Sequence, residues 1–227
     1  MAREFNRNMF IMLLSIMIGA ITITYFIADI VNRSKIETLT TEITNVKEKG
    51  ENFTSYFLKS SVVLDQARED RAFGNYHFDF AFVWYSSALA EKNNSTMELY
   101  KMRGIDNCTN AMPNYINSHD NFEDAGIYFR ETKNYTDYEK YLTILNLYIN
   151  LTASGSRLSI LRYNATKYLM YLTENLTFVD NNVTYLGNVS DLLLLFNMTI
   201  DSYNEELEEY EGYQDEIDEY EFFDEIR

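Results

Sequence analysis

Cysteine, proline and histidine are nearly missing from this sequence. Its 227 residues include one Cys, one Pro, two His and eight Gly. A lone cysteine, Cys108, excludes an intramolecular disulfide, so no disulfide framework holds the fold. Scarce Pro and Gly argue against a turn-rich sandwich or barrel, and the expectation is all-α. Two histidines, His77 and His119, are too few for a zinc site needing about three protein ligands. His119 and Glu123 have i,i+4 spacing, but nothing completes a set around them. Asp180, Asn182, Thr184 and Asp191 match part of a calcium-loop template, yet Tyr185 stands where the sharp turn needs Gly. No Gly-rich phosphate loop, G-x-S-x-G or H-E-x-x-H occurs. No catalytic residue, cofactor site or metal-ligand set is therefore assigned, and an enzyme is not the expectation.

Basic residues are also few. There are 19 Lys and Arg against 35 Asp and Glu, a net charge of −16. That excludes binding of nucleic acid through phosphate neutralisation. The charge is uneven. From Asp201 to Arg227 stand thirteen acidic residues and one Arg, twelve of the sixteen net negative charges. Residues 201–227 thus form a separate acidic element. An apolar stripe runs through it: Tyr203, Leu207, Tyr210, Tyr213, Ile217 and Tyr220. These are its candidate interaction residues, because a purely solvating tail needs no aromatic side chains. Docking to a basic partner and loose collection of divalent cations are the functional readings; solubilisation is the plainer one. Like charges at Glu205 and Glu209 and a glycine at 212 predict fraying from about Gly212.

Long apolar runs occur only once. From Met9 to Ala28 there is no charged residue. Twenty residues at ~1.5 Å each span a ~30 Å hydrocarbon core. The run is longer than the apolar part of a cleaved signal peptide, and bulky Phe26 makes a poor cleavage site before Ala28. Residues 9–31 are therefore expected to be an uncleaved signal anchor, with residues 1–8 cytoplasmic. Flanking charge favours that direction only weakly.

What the sequence has in excess is Asn-x-Ser/Thr, the N-glycosylation acceptor tripeptide. It occurs twelve times: at Asn32, Asn52, Asn93, Asn94, Asn107, Asn134, Asn150, Asn164, Asn175, Asn182, Asn188 and Asn197. Composition alone predicts roughly three. All twelve follow the apolar run, which places the body outside the cell. Asn32 lies too near the membrane to count, and Asn93 overlaps Asn94, leaving the other ten as candidate acceptors. Many acceptors with one cysteine suit an archaeal envelope better than an animal secretory pathway.

Residues 34–200 read as a helical domain. Ile36, Leu39, Ile43, Val46, Gly50, Phe53, Phe57, Ser60, Leu64 and Ala67 step by three and four, a heptad seam on a long helix over 34–72. Packing inside its own bundle is preferred over a self-associating stalk. A turn is expected at Gly74–Asn75, then a central aromatic helix over 76–92 carrying Phe78, Phe82, Trp84 and Tyr85. A short helix over 97–103, irregular chain over 104–120 and a helix over 122–133 follow. Helices over 137–153 and 157–173 are expected to join at Ser154–Gly155–Ser156, with a loop over 178–188 and a last helix capped by Ser190. The stripes at Leu145, Tyr148 and Ile149 and at Leu158, Leu161, Ala165 and Leu169 leave Asn150 and Asn164 off the apolar face.

The expected architecture is one transmembrane helix, a helical bundle outside the membrane and an acidic C-terminal helix. The expected role is a glycosylated structural or interaction module of the cell envelope, self-associating or meeting a protein partner through the heptad helix or the tail. A sensor or adaptor subunit of a larger membrane complex is the alternative. An extracytoplasmic enzyme ranks third.

Overall fold

A computed structural model describes the backbone of residues 2–220 and the side chains of Met17 and residues 19–220. Four helices carry almost all of it. They are α1 (Ala2–Ala90), α2 (Asn94–Thr132), α3 (Glu139–Glu174) and α4 (Ser190–Asp218). A 3-10 turn, Lys133–Tyr135, links α2 to α3, and a hairpin of β1 (Leu176–Val179) and β2 (Asn182–Tyr185) links α3 to α4. The chain is all-α apart from that hairpin. It divides into two units, Met1–Glu51 and Asn52–Arg227.

The second unit is a four-helix bundle. One part of its core joins Phe78 and Tyr85 of α1, Met97 and Tyr115 of α2, Leu169 and Leu172 of α3, and Phe196 of α4. The other joins Leu64 and Ala67, Phe122 and Phe129, Leu145 and Leu158, and Tyr203 and Tyr210. Late α1 thus meets early α2, late α3 and early α4, so each helix runs opposite to the one before it. α3 has the widest buried face, with Ile144, Leu151, Ser154, Gly155, Ser159 and Ala165 among its interior residues.

The heptad seam does not end at Ala67. Residues 60, 64, 67, 74, 78, 81, 85 and 88 are buried, in one three-four register on α1 in which only Arg71 is half-buried. α2 buries 97, 104, 108, 111, 115, 118, 122, 125, 129 and 132 in the same rhythm. Along both helices small residues alternate with large ones. Gly74, Ala81, Gly104, Ala111, Ser118 and Ala125 are the small positions; Phe78, Tyr85, Tyr115, Phe122 and Phe129 are the large ones.

This alternation corrects five sequence expectations. There is no turn at Gly74–Asn75, because Gly74 is an interior contact of a continuous α1. A Cβ there would lie 2.7 Å from the Tyr115 ring. Residues 104–120 are not irregular, and 97–103 and 122–133 are not separate helices. They belong to α2, in which Gly104 faces Thr173 of α3. Ser154–Gly155–Ser156 does not break α3; a Cβ at Gly155 would overlap the Phe122 ring. Glycine was needed for close helix approach at these sites, not for a turn. The one proline, Pro113, lies on the exposed side of α2, where water can satisfy the carbonyl that its missing N–H leaves.

Four more expectations change. The long helix runs over Ala2–Ala90 rather than 34–72. Its aromatic stretch is not central: Phe78 and Tyr85 are buried, while Tyr76, Phe80 and Phe82 are exposed. Residues 178–188 contain a strand of the hairpin, whose two turn residues, Asp180 and Asn181, have φ of 50° and 62°. Positive φ at both is the mirror-image turn that matches strand twist. Ser190 is not the cap of α4; Val189 holds that place, and Asn188 Oδ1 accepts from the Ser190 N–H at 3.0 Å.

The first unit is helix α1 up to Glu51. Among the described residues no helix is long and apolar enough to cross a membrane. Of the span expected over 9–31, the side chains of residues 9–16 and 18 lie outside the described residues, as do residues 221–227 of the acidic tail.

Candidate functional site

None of the twelve acceptor asparagines is buried. Asn94, Asn134, Asn150, Asn182, Asn188 and Asn197 are exposed; Asn52, Asn107, Asn164 and Asn175 are half-buried. They occupy distinct settings. Asn93 caps α2, its Oδ1 accepting from the Thr96 N–H at 3.1 Å, so Asn94 is the first helical residue. Asn134 lies in the 3-10 turn, Asn182 opens β2 and Asn188 precedes α4. Asn107, Asn150, Asn164 and Asn197 stand inside helices. At two of these the third residue of the tripeptide points inward. Thr152 and Thr166 are buried, bonded to the carbonyls of Ile149 at 2.9 Å and Arg162 at 2.7 Å. The folded helix hides those two hydroxyls.

The acidic helix is docked on the body of the chain. Tyr203 and Tyr210 are core residues, and Leu207, Tyr213 and Ile217 pack against them. Its basic counterpart is intramolecular. The Arg71 guanidinium lies 4.2 Å from the Tyr210 ring centre, and Arg162 lies 4.0 Å from that of Tyr203. Arg68 Nε donates to the Tyr210 hydroxyl at 3.1 Å. Arg157 grips Glu206 with two hydrogen bonds, Nε to Oε2 at 2.8 Å and Nη2 to Oε1 at 2.7 Å. Buried Ser154 donates to the same carboxylate at 2.6 Å. Burial pushes the Glu206 carboxyl up, but the Arg157 and Ser154 hydrogen bonds and the guanidinium charge outweigh it, so its pKa lies below the ordinary value. The helix therefore does not fray at Gly212. It continues to Asp218, and the Tyr220 hydroxyl donates to the Lys140 carbonyl at 3.1 Å.

Charge was the misleading signal here. Arg71 and Arg162 are charged, yet both guanidiniums stack on aromatic rings of the core. Arg71 Nη1 is buried without a hydrogen-bond partner, and rings on two sides, Phe122 and Tyr210, offset that cost.

The remaining chemical candidates are placed as follows. His119 Nδ1 lies 2.8 Å from Ser156 Oγ, and its Nε2 lies 3.7 Å from Glu123. His77 Nδ1 lies 3.2 Å from Asn107 Oδ1, on the opposite stretch of α2. Cys108 is fully buried, and burial first, then the Glu174 charge, pushes its thiol up to about 12. A thiol so shielded is not a nucleophile at neutral pH. Asp180 and Asn182 belong to the hairpin, with Asn182 Nδ2 donating to the Asp180 carbonyl at 3.1 Å. Among the described residues no group of three His, Cys, Asp or Glu is placed to hold a metal ion. A shallow cleft of about 340 Å³ lies between α2 and α3, lined by Glu123, Gly126, Arg130, Thr152 and Arg157 among others.

No protein-family model, curated protein or solved structure matches this chain.

Proposed function

We propose that this chain is a membrane-anchored, N-glycosylated surface protein, a structural or protein-interaction module of the cell envelope. The observation that carries the reading is the distribution of the acceptor tripeptides. They are in roughly fourfold excess over chance, all follow the apolar run, and none of their asparagines is buried in the fold. A rigid bundle with acceptors on all four helices and the hairpin is a body that glycans can cover without opening the core.

The anchor rests on the uncharged run from Met9 to Ala28. The described part of it supports the reading. Met17, Ile21, Ile23, Tyr25, Phe26 and Ile27 are all exposed and are distributed around the helix. A helix that is apolar all round suits lipid better than water. The Thr24 hydroxyl is satisfied within the helix, donating to the Ala20 carbonyl at 2.8 Å.

Glycopeptide mass spectrometry on protein from its native membrane tests this. Glycans are expected at several of Asn134, Asn150, Asn164, Asn175, Asn182 and Asn197. Bare asparagines at all six, in a host that glycosylates its other surface proteins, would overturn it.

A further inference from the structure

We propose that α1 pairs with α1 of a second copy of this chain, as a parallel two-stranded coiled coil through Ile36, Leu39, Ile43 and Val46. The inference deepens the anchored reading and rests on it only for gathering the chains in one membrane.

The first ground is the register. From residue 60 to 88 every seam position of α1 except Arg71 is buried against the chain's own helices. The same register continues N-terminally through Phe57, Phe53, Gly50, Val46, Ile43, Leu39 and Ile36. Phe57 and Phe53 still pack on the bundle, but among the described residues nothing covers Ile36, Leu39, Ile43 and Val46, which are 62%, 56%, 68% and 70% exposed. Strict three-four spacing is the pattern of a helix that follows another helix, since 3.5 residues per turn keeps the seam facing a partner. A helix meant only for solvent has no use for it.

The second ground is the chemistry of the seam. Ile36 and Ile43 are β-branched at the first core position of each heptad, and Leu39 and Val46 sit at the second. That combination favours two strands in parallel. The seam is bounded by Asp29 and Asn32 before it and Gly50 after it, so it covers about two heptads.

The third ground is charge. Glu42 and Lys47 flank the seam on opposite sides, five residues apart. In a parallel pair in register, Glu42 of one copy faces Lys47 of the other, and symmetry makes the contact twice. Lys35 faces Thr40 and Lys49 faces Thr54, so no like charges oppose each other. An antiparallel pairing does not bring these residues together in the same register. Asn52 lies off the seam, leaving room for a glycan.

The test uses the full chain in its membrane with single cysteines introduced at surface positions. Native Cys108 is fully buried and stays silent. Ile36→Cys, Leu39→Cys, Ile43→Cys and Val46→Cys are expected to form disulfide-linked dimers on mild oxidation. Thr41→Cys, Thr44→Cys and Glu48→Cys, on the outer side, are not. Crosslinking at several seam positions requires parallel chains in register. Glu42→Lys is expected to weaken dimer formation by roughly tenfold, since two attractive pairs become repulsive; the double change Glu42→Lys with Lys47→Glu restores it. Equal crosslinking at all seven positions, crosslinking at none, crosslinking at one seam position alone, or indifference to the charge reversal would each overturn the proposal. Crosslinking reads self-association whichever side of the membrane holds the body, so its failure and the failure of glycosylation are separate results.

Discussion

The ring of Phe122 on α2 occupies the space where a side chain at Gly155 on α3 would begin. Gly74 and Tyr115 repeat the relationship between α1 and α2. Both glycines sit in helix interiors, where glycine costs about 0.5–1 kcal/mol relative to Ala. The bundle keeps them because the neighbouring helix approaches so closely.

Gly155→Ala and Gly74→Ala are accordingly expected to destabilise the bundle by about 1–3 kcal/mol through overpacking. Gly212→Ala on α4 has the opposite sign. Nothing lies within 4 Å of a Cβ there, so the substitution is expected to stabilise by roughly 0.5–1 kcal/mol. Denaturant midpoints followed by helical circular dichroism measure all three. A stabilising Gly155→Ala would mean that α2 and α3 do not meet as described.

The Arg157–Glu206 contact predicts a pH dependence. The Glu206 pKa is lowered by folding. Its contribution is therefore present above the unfolded carboxylate value of about 4.3 and is lost as pH falls through the folded value. Arg157 has its pKa raised, chiefly by the hydrogen bond to Glu206. Its contribution is complete at any pH below the unfolded arginine value, so it adds no acid titration. Glu206→Gln is expected to lower stability at pH 7 and to reduce the loss between pH 5 and pH 3. Glu206→Ala, which leaves buried Ser154 without its carboxylate acceptor, is expected to cost about 1–3 kcal/mol at pH 7. An unchanged acid slope in Glu206→Gln would remove Glu206 from this role. The Arg157 side chain is 52% exposed, so salt is expected to weaken the effect.

Large apolar residues at helical spacing were readable directly. On α3, Leu145, Leu158, Ala165, Leu169 and Leu172 are buried, and on α4, Phe196, Tyr203 and Tyr210, while Tyr148, Ile149, Leu161 and Leu207 flank them half-buried. α2 was not readable in the same way. Gly104, Ala111, Ser118, Ala125 and Gly126 are among its core positions; hydropathy gives such small residues little weight, and turn chemistry reads Gly and Ser as breakers. Only the seven-residue return of Cys108, Tyr115, Phe122 and Phe129 marks it as one continuous helix. The hairpin had a local signal in Asp180–Asn181, a pair suited to positive φ, between two alternating segments. The docking of the acidic helix had a half-signal. Its aromatic stripe pointed to a partner, but arginines inside the same chain cannot be told from surface arginines without the fold.

The side of the membrane on which the bundle lies is the central claim, and a membrane-impermeant maleimide applied to intact cells tests it most directly. Leu186, just after β2, is 72% exposed, whereas Cys108 is fully buried, so a Leu186→Cys variant carries one reactive thiol on its bundle. The account predicts that this variant is labelled on intact cells while the native chain is not. Labelling of Leu186→Cys only after the cells are permeabilised would place the bundle inside and contradict it.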